Sequence, residues 1–230
     1  MQRNAKFDYF QKKGLFLTTF SSKIVNFHNE NHFFKTPKTQ KMKRIAILAS
    51  GSGTNAENLI RFFRTHPTGS VNIVLTNKPG AGVIKRSESL KVETVVFGRE
   101  QFYESDEITD LLLEREIDLL VLAGFLWLVP PGLIKAFNGR IINIHPALLP
   151  NYGGKGMYGS HVHEAVVANG DRESGITIHH VNQDYDEGGI IFQARCEVME
   201  GDSPESLAAK IHELEYEHFP RVVEDLLKKL

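Results

Sequence analysis

"RIAILASGSGTNAENLIRFFRT", residues 44–65, reads as a strand, a tight turn and a helix. "RIAILA" is a short apolar run, "SGSGT" supplies the turn, and "NAENLIRFFRT" carries helical spacing. The same rhythm repeats on the far side. "VNIVLT" (71–76) is followed by the turn "NKPGAG" (77–82), the helical stretch "VIKRSESL" (83–90) and the strand "VETVVF" (92–97). "QFYESDEITDLLLERE" (101–116) has helical spacing at Ile108, Leu111 and Leu112. "DLLVLAG" (118–124) is a buried strand, "PPGLIKAF" (130–137) a short helix opened by prolines, and "RIINI" (140–144) another strand. Short strands alternating with helices predict a parallel sheet covered on both faces. The rhythm then changes. "SGITIHHVN" (174–182) and "GGIIFQARCEV" (188–198) are joined by "QDYDE", too short for a helical crossover, so they are expected to be antiparallel neighbours. A last amphipathic helix starts near Ser203, an N-cap followed by Pro204 at N1, and is expected to bury Leu207, Ile211, Leu214, Val222 and Leu226. The fold class is therefore α/β: a Rossmann-like, mostly parallel sheet with helices on both faces and antiparallel strands in the C-terminal part. Residues 42–230 read as a single domain.

Composition agrees with a water-soluble globular chain. Of 230 residues, 41% are hydrophobic and 24% charged. Lysine and arginine total 27 against 28 acidic residues, so no broad attraction to nucleic acid or to a membrane surface is expected. No apolar run reaches the roughly 18 to 20 residues of a membrane span. The one cysteine, Cys196, excludes an internal disulfide framework and fits a reducing, cytoplasmic setting. Residues 1–41 differ from the rest, being rich in Lys, Asn and Phe with Asp8 and Glu30 as their only acids. They read either as a targeting leader or as an extension ahead of a true start at Met42; the second is preferred, with these residues disordered.

Ligands of such a sheet bind beyond the carboxyl ends of its strands, and three segments fall there. In "ASGSGTN", Ala49 to Asn55, the glycines allow a tight turn and the free N–H groups of the helix start can hold a phosphate. The pattern is neither a dinucleotide fingerprint nor a P-loop, and such a turn is also an ordinary strand-to-helix connection. In "RIINIHPALLP", residues 140–150, Asn143 and His145 lie two apart on a strand and so face the same way, with Pro146 and Pro150 restricting the loop behind them. An amide donor beside an imidazole suits oxyanion stabilisation and proton transfer; the plain alternative is a polar strand end satisfied by loop backbone. In "HHVNQDYDEGG", residues 179–189, His179 and His180 alternate across a strand and Asp184 and Asp186 precede a glycine pair. The alternatives are a solvated acidic loop, or a carboxylate beside His145 that raises its pKa so that imidazolium is available near neutral pH. Among the ten histidines, His161 and His163 stand two apart on a helical stretch and do not share a face. With no cysteine pairs and no His-Glu-x-x-His spacing, no metal site is expected.

"RIAILASGSGTN", "LVLAGFLWLV", "INIHPALLP" and "DYDEGG" occur in the order found in the phosphoribosylglycinamide formyltransferase family, which the chain resembles over about residues 43–228. "ELEYEHFP" in the last helix resembles this family in particular. The resemblance implies transfer of the formyl group of 10-formyltetrahydrofolate, a co-substrate, to the amine of glycinamide ribonucleotide in purine synthesis. It implies His145 as general acid and oxyanion partner, Asn143 as a second donor that also meets the co-substrate, and Asp186 as the carboxylate that raises the histidine's pKa. Gly53, Thr54 and Asn55 would hold the phosphate side of the ribonucleotide, and Glu215 would bind the same substrate. Leu126, Trp127, Leu128 and Val129 would form a pterin pocket, closed by the "NQDYD" loop with Asp184, and Arg99 is the counterpart of a basic folate contact. Departures from the family pattern are Trp127 in place of a common arginine, a longer glycine-rich loop after Pro150, His212 where glutamine is frequent, and Glu187 between Asp186 and the glycines. Formyltetrahydrofolate hydrolase and methionyl-tRNA formyltransferase are the alternatives within the superfamily. They rank lower because residues 1–41 are short and irregular and "DLLKKL" closes the chain after the last helix. A non-catalytic nucleotide-binding module is the alternative of another class. The partners expected are the two small molecules alone, with the protein a monomer or homodimer.

Overall fold

The computed structural model describes residues 41–230. The expectation of a disordered leader falls on residues outside the described ones.

Seven strands form one sheet: β1 (Lys43–Leu48), β2 (Gly69–Thr76), β3 (Glu93–Val96), β4 (Leu119–Leu122), β5 (Ile141–His145), β6 (Glu173–His180) and β7 (Ile190–Glu197). Their order is β3-β2-β1-β4-β5-β6-β7. Pairing is parallel from β3 through β5 and antiparallel at β5–β6 and at β6–β7, the latter as the short 183–187 connection requires. Helices α1 (Thr54–Phe63), α2 (Gly82–Ser89), α3 (Glu107–Glu114), α4 (Pro131–Ala136), α5 (Ser160–Asn169) and α6 (Pro204–Leu227) cover it.

Alternation along the central strands divides the core into two layers. Ile45 and Ile47 of β1 pack with Leu59, Val121, Ile142, Ile211 and Phe219 under α1 and α6. Ala46 and Leu48 face the other way, onto Leu112, Leu120, Leu133 and Phe137 under α3 and α4. Each fully buried Leu, Ile or Phe contributes about 1.5–3 kcal/mol relative to exposure. No helix among the described residues is long and apolar enough to cross a membrane.

Two elements differ from their sequence expectation. The 101–116 stretch is not one helix: a π-helical turn at Glu100–Glu104 ends at Ser105, whose backbone is extended (φ −139°, ψ 169°), and α3 starts only at Glu107. Phe102 is buried, and the Tyr103 hydroxyl donates to the Leu128 carbonyl at 3.0 Å, so tertiary contacts hold this turn apart from α3. In α6, the fully buried stripe is Leu207, Ile211, Glu215, Phe219, Val223 and Leu227, spaced four apart. Leu214, Val222 and Leu226 are only partly buried against it, a one-residue rotation from the expected face. Ser203 and Ser206 form a capping box at the helix start. Pro220 lies inside α6 and has no N–H for the Tyr216 carbonyl; Asn58 Nδ2 of α1 donates to that carbonyl instead, at 3.0 Å.

The strand order reverses direction between β1 and β4: the chain leaves β1 towards β2 and returns on its other side. Loops after these two strands diverge, which opens a crevice at their carboxyl ends. Its floor is tied together by Ser50, whose N–H donates to the Gly124 carbonyl at 2.9 Å and whose Oγ accepts from the Leu126 N–H at 3.0 Å.

Candidate active site

The crevice is a cleft of about 660 Å³, within the usual size of small-molecule sites. One end is the glycine turn before α1. Gly53 has φ +78°, a left-handed conformation, and a Cβ there would sit 2.5 Å from the Val83 side chain, so only glycine fits. Thr54 and Asn55 open α1 with its free N–H groups facing the cleft mouth. Asn55 Nδ2 donates to Glu215 Oε2 at 2.9 Å, and His212 Nδ1 meets the same oxygen at 2.8 Å. That pairing raises the His212 pKa above the usual histidine value. Glu215 is 5% exposed, a carboxylate inside an otherwise apolar helix stripe, which is costly unless it serves a partner. Asn55 Oδ1 and His163 Nδ1 are buried here without a hydrogen-bond partner among the described residues. Both are closed off from the cleft, and unmet polar atoms of this kind are rare in a packed interior.

At the other end, β5 delivers Asn143 and His145 to the cleft, as their shared strand face predicts. β6 pairs antiparallel with β5 so that His179 lies opposite Asn143. The 181–189 loop then returns Asp186 above both. Asp186 has φ +59°, a left-handed conformation that Asp tolerates better than most residues. Gly188 permits that return: a Cβ would lie 1.6 Å from the His180 carbonyl oxygen. The carboxylate Oδ2 lies 3.6 Å from His145 Nδ1 and accepts from the Gly154 N–H at 3.0 Å. Oδ1 accepts from Asn143 Nδ2 at 3.3 Å and lies 3.5 Å from His179 Nε2. His179 Nδ1 donates to the His180 carbonyl at 2.8 Å, and its Nε2 lies between Asp186 Oδ1 and Asn143 Nδ2, 3.1 Å from the latter. Burial works against the Asp186 charge, but His179, the positive charge that His145 takes up at acid pH and the Gly154 N–H together hold its pKa below the usual carboxylate value.

The charge state of His145 corrects the sequence expectation. It is 3% exposed, and loss of hydration lowers its pKa below the ordinary histidine value. Asp186 and the Tyr152 carbonyl oppose this without overcoming it. His145 therefore rests as neutral imidazole at neutral pH. Its Nε2–H donates to the Tyr152 carbonyl at 2.7 Å, which leaves the Nδ1 lone pair towards Asp186.

The remaining expected residues are placed unevenly. Leu126 lines the cleft, whereas Trp127, Leu128, Val129, Asp184 and Arg99 do not. Val129 is buried in the core layer under α3 and α4. Trp127 joins Phe97, Phe102, Tyr103 and Phe125 in an aromatic cluster, and the Arg99 guanidinium sits 5.0 Å from its ring centroid and 5.8 Å from that of Tyr103. Asp184 is exposed; from its loop, Tyr185 and Asp186 reach the cleft. His163, His179, Lys78 and Lys155 belong to or border the cleft and were not assigned from the sequence. For His179 the signal was the His-His pair, which places one imidazole on each face of β6.

The sequence pattern of the family described as Formyl transferase matches residues 43–223, which include every group of this cleft. The chain belongs to the formyl transferase family. Among its formyl transferase relatives is the chloroplastic phosphoribosylglycinamide formyltransferase of Arabidopsis thaliana, 40% identical over 195 residues, covering 80% of this chain and 65% of the relative. Another is the chloroplastic phosphoribosylglycinamide formyltransferase of Vigna unguiculata, 36% identical over 205 residues, covering 87% and 66%. The chain thus spans just under two thirds of the length of these two relatives. The crystal structure of phosphoribosylglycinamide formyltransferase from Bacillus halodurans superposes with a TM-score of 0.72 at 37% identity, covering 81% of this chain and 96% of that one.

One consequence of the site's burial can be measured without any ligand. Desolvation lowers the pKa of His145, His163 and His180 below the ordinary value of 6.5. For such groups the unfolded chain binds more protons, so their stabilising effect is full above the unfolded value and is lost as pH falls below it. His212, with its raised pKa, acts in the opposite sense, but its side chain is half exposed and its ion pair correspondingly screened. The thermal midpoint is expected to fall by a few degrees between about pH 7.5 and about pH 5.5. A flat or rising midpoint in calorimetry would show that these imidazoles are not held neutral.

Proposed function

We propose that the chain transfers the formyl group of 10-formyltetrahydrofolate to the amine of glycinamide ribonucleotide. The observation that carries the reading is the convergence of Asn143, His145 and Asp186 in a cleft whose other end is an open helix N-terminus beside a buried glutamate. The names of the relatives support the choice of substrates.

The cleft fits both molecules. Gly53, Thr54 and Asn55 offer N–H groups to a phosphate, and Glu215 offers a carboxylate to sugar hydroxyls or to the amine. Phe125, Leu126 and Ile144 offer an apolar wall to a flat ring, and the main chain of Ala123–Leu126 offers polar edges. Trp127, Leu128 and Val129 support that wall from behind. Asp184 stands at the outer rim of the loop. Arg99, stacked on Trp127, takes the anionic end of the folate.

The transfer joins the amine nitrogen to the formyl carbon and breaks that carbon's bond to the folate nitrogen. One proton must leave the amine and one must reach the departing nitrogen. Neutral His145 accepts the first at Nδ1 and becomes an imidazolium 3.6 Å from the Asp186 carboxylate, which stabilises it. His145 then returns the proton to the leaving nitrogen. Asn143 Nδ2 donates to the oxygen that gains negative charge between the two steps. Residues 42–230 are proposed to act as one domain, in the cytoplasm, as a monomer or homodimer.

The test is formyl transfer by the purified chain with glycinamide ribonucleotide, methionyl-tRNA or water as acceptor. Rapid transfer to the ribonucleotide alone is expected; release of formate without an acceptor, or transfer only to tRNA, would replace the reading. Arg99→Ala is expected to raise KM for the folate about fivefold with kcat unchanged, the mark of binding energy equal in ground and transition states. An unchanged KM would remove Arg99 from the folate site.

A further inference from the structure

The group that holds His145 comes from outside the cleft wall. Tyr152 accepts from His145 Nε2 through its carbonyl, at 2.7 Å. Its own backbone has φ +57°, a left-handed conformation unfavourable for a residue with a bulky side chain. Something must hold it there, and the ring supplies the handle. The Tyr152 hydroxyl donates to Asp171 Oδ2 at 2.6 Å, while Asn169 Nδ2 donates to Asp171 Oδ1 at 2.7 Å. Asp171 lies in the three-residue connection between α5 and β6, so both elements fix its place.

The loop before Tyr152 is secured separately. Thr177 Oγ1, fully buried on β6, donates to the Ala147 carbonyl at 2.7 Å and accepts from the Leu149 N–H at 3.0 Å. Gln193 Nε2 of β7 donates to the Leu149 carbonyl at 3.0 Å. These bonds fix the chain as far as Leu149. Beyond it, the Gly154 N–H on Asp186 holds the chain after Tyr152, and Asp171 is the group that holds the Tyr152 side chain itself.

We propose that Tyr152 and Asp171 are positioning residues for the catalytic imidazole. They keep the His145 ring proton on Nε2 and leave Nδ1 as the nitrogen that exchanges a proton during the reaction. Neither touches the reacting atoms; both act through the histidine. The inference rests on the formyl transfer reading for its kinetic consequence, but the tautomer it assigns belongs to the unliganded protein.

The test compares wild type, Tyr152→Phe, Asp171→Ala and Asp171→Asn. Nitrogen NMR of the unliganded proteins at a pH above the His145 titration, with the signal assigned by its absence in His145→Asn, reads the tautomer. Wild type is expected to show the Nε2–H form, and Tyr152→Phe and Asp171→Ala a mixture of both tautomers. With both substrates saturating, the same two variants are expected to lose about tenfold in kcat while KM stays within about twofold, since misorientation weakens the transition state alone. Their activity should also rise with pH at a lower pH than in wild type, because a loosened Tyr152 carbonyl no longer supports the His145 proton. Asp171→Asn keeps an acceptor for the hydroxyl and is expected to restore most of the activity. An unchanged tautomer with unchanged kcat would overturn the proposal. So would a loss of activity that follows a fall in Tm while tautomer and pH profile stay put, since that marks a loop brace only. If wild type transfers no formyl group, the proposed function fails, and the tautomer of Tyr152→Phe still decides this inference.

Discussion

His145→Asn is expected to lower kcat for formyl transfer by about a thousandfold, the upper part of the range for a positioned acid–base group. Asparagine is a sharp replacement because it keeps a neutral polar group beside Asp186 at this buried position. Its amide stands where Nδ1 does, beside Asp186, and is smaller than the imidazole, so it fits the space without reaching the Tyr152 carbonyl. What it cannot do is take up a proton from the amine and return one to the leaving nitrogen. KM for the ribonucleotide should change little, since Gly53, Thr54, Asn55 and Glu215 lie at the other end of the cleft. Equal losses in kcat and kcat/KM would locate the effect in the transition state. A second, ligand-free readout comes with it. His145 is disfavoured as a cation by its burial, so it withdraws stability as pH falls below 6.5. The variant should therefore lose less of its thermal midpoint on acidification than wild type does. Turnover near the wild-type value would sink the catalytic assignment.

The framework of this site was legible in the sequence because its periods are local. The apolar runs before "SGSGT" and in "RIINI" are short, and the helical stretches between them have their own spacing, so a parallel sheet with its crevice followed directly. The five-residue "QDYDE" connection likewise left no room for a parallel crossover before β7. What escaped depends on distances the sequence does not contain. Glu215 interrupts an apolar stripe, so the stripe of α6 was read one residue away, through Leu214 and Val222. The place of His179 follows from the register Asn143↔His179 between strands far apart in the chain. The charge of His145 was misjudged for the same reason. A carboxylate neighbour can be guessed from "DYDEGG", but the desolvation that outweighs it is a property of the packed cleft. Trp127 and Arg99 were read as two independent contacts, whereas the π-helical turn at Glu100–Glu104 brings them face to face.

Asp186→Asn is expected to lower kcat by about a hundredfold or more, and to do so with a pH signature that His145→Asn lacks. The carboxylate is ionised throughout the neutral range, since its pKa is held below 3.8. Its own titration therefore leaves no limb in a profile between about pH 5 and pH 9. Its effect passes through His145. The negative charge 3.6 Å from Nδ1 is the largest influence raising the histidine's pKa against burial. Replaced by a neutral amide, it no longer supports the imidazolium formed when the amine gives up its proton. The His145 pKa then falls further. Because His145 acts first as a base, activity rises as pH passes upward through that pKa; in Asp186→Asn the rise should come at lower pH and end on a lower plateau. The amide oxygen can still accept from the Gly154 N–H, so the loop should keep its path and ligand affinity should change little. The acid side gives an independent sign. A depressed carboxylate pKa contributes stability that is present above the unfolded value and lost as pH falls through the folded one. Asp186→Asn should therefore show no part of that loss below about pH 4. If instead the plateau fell with the rise of the profile unmoved, Asp186 would be acting on the loop and not on the charge of His145.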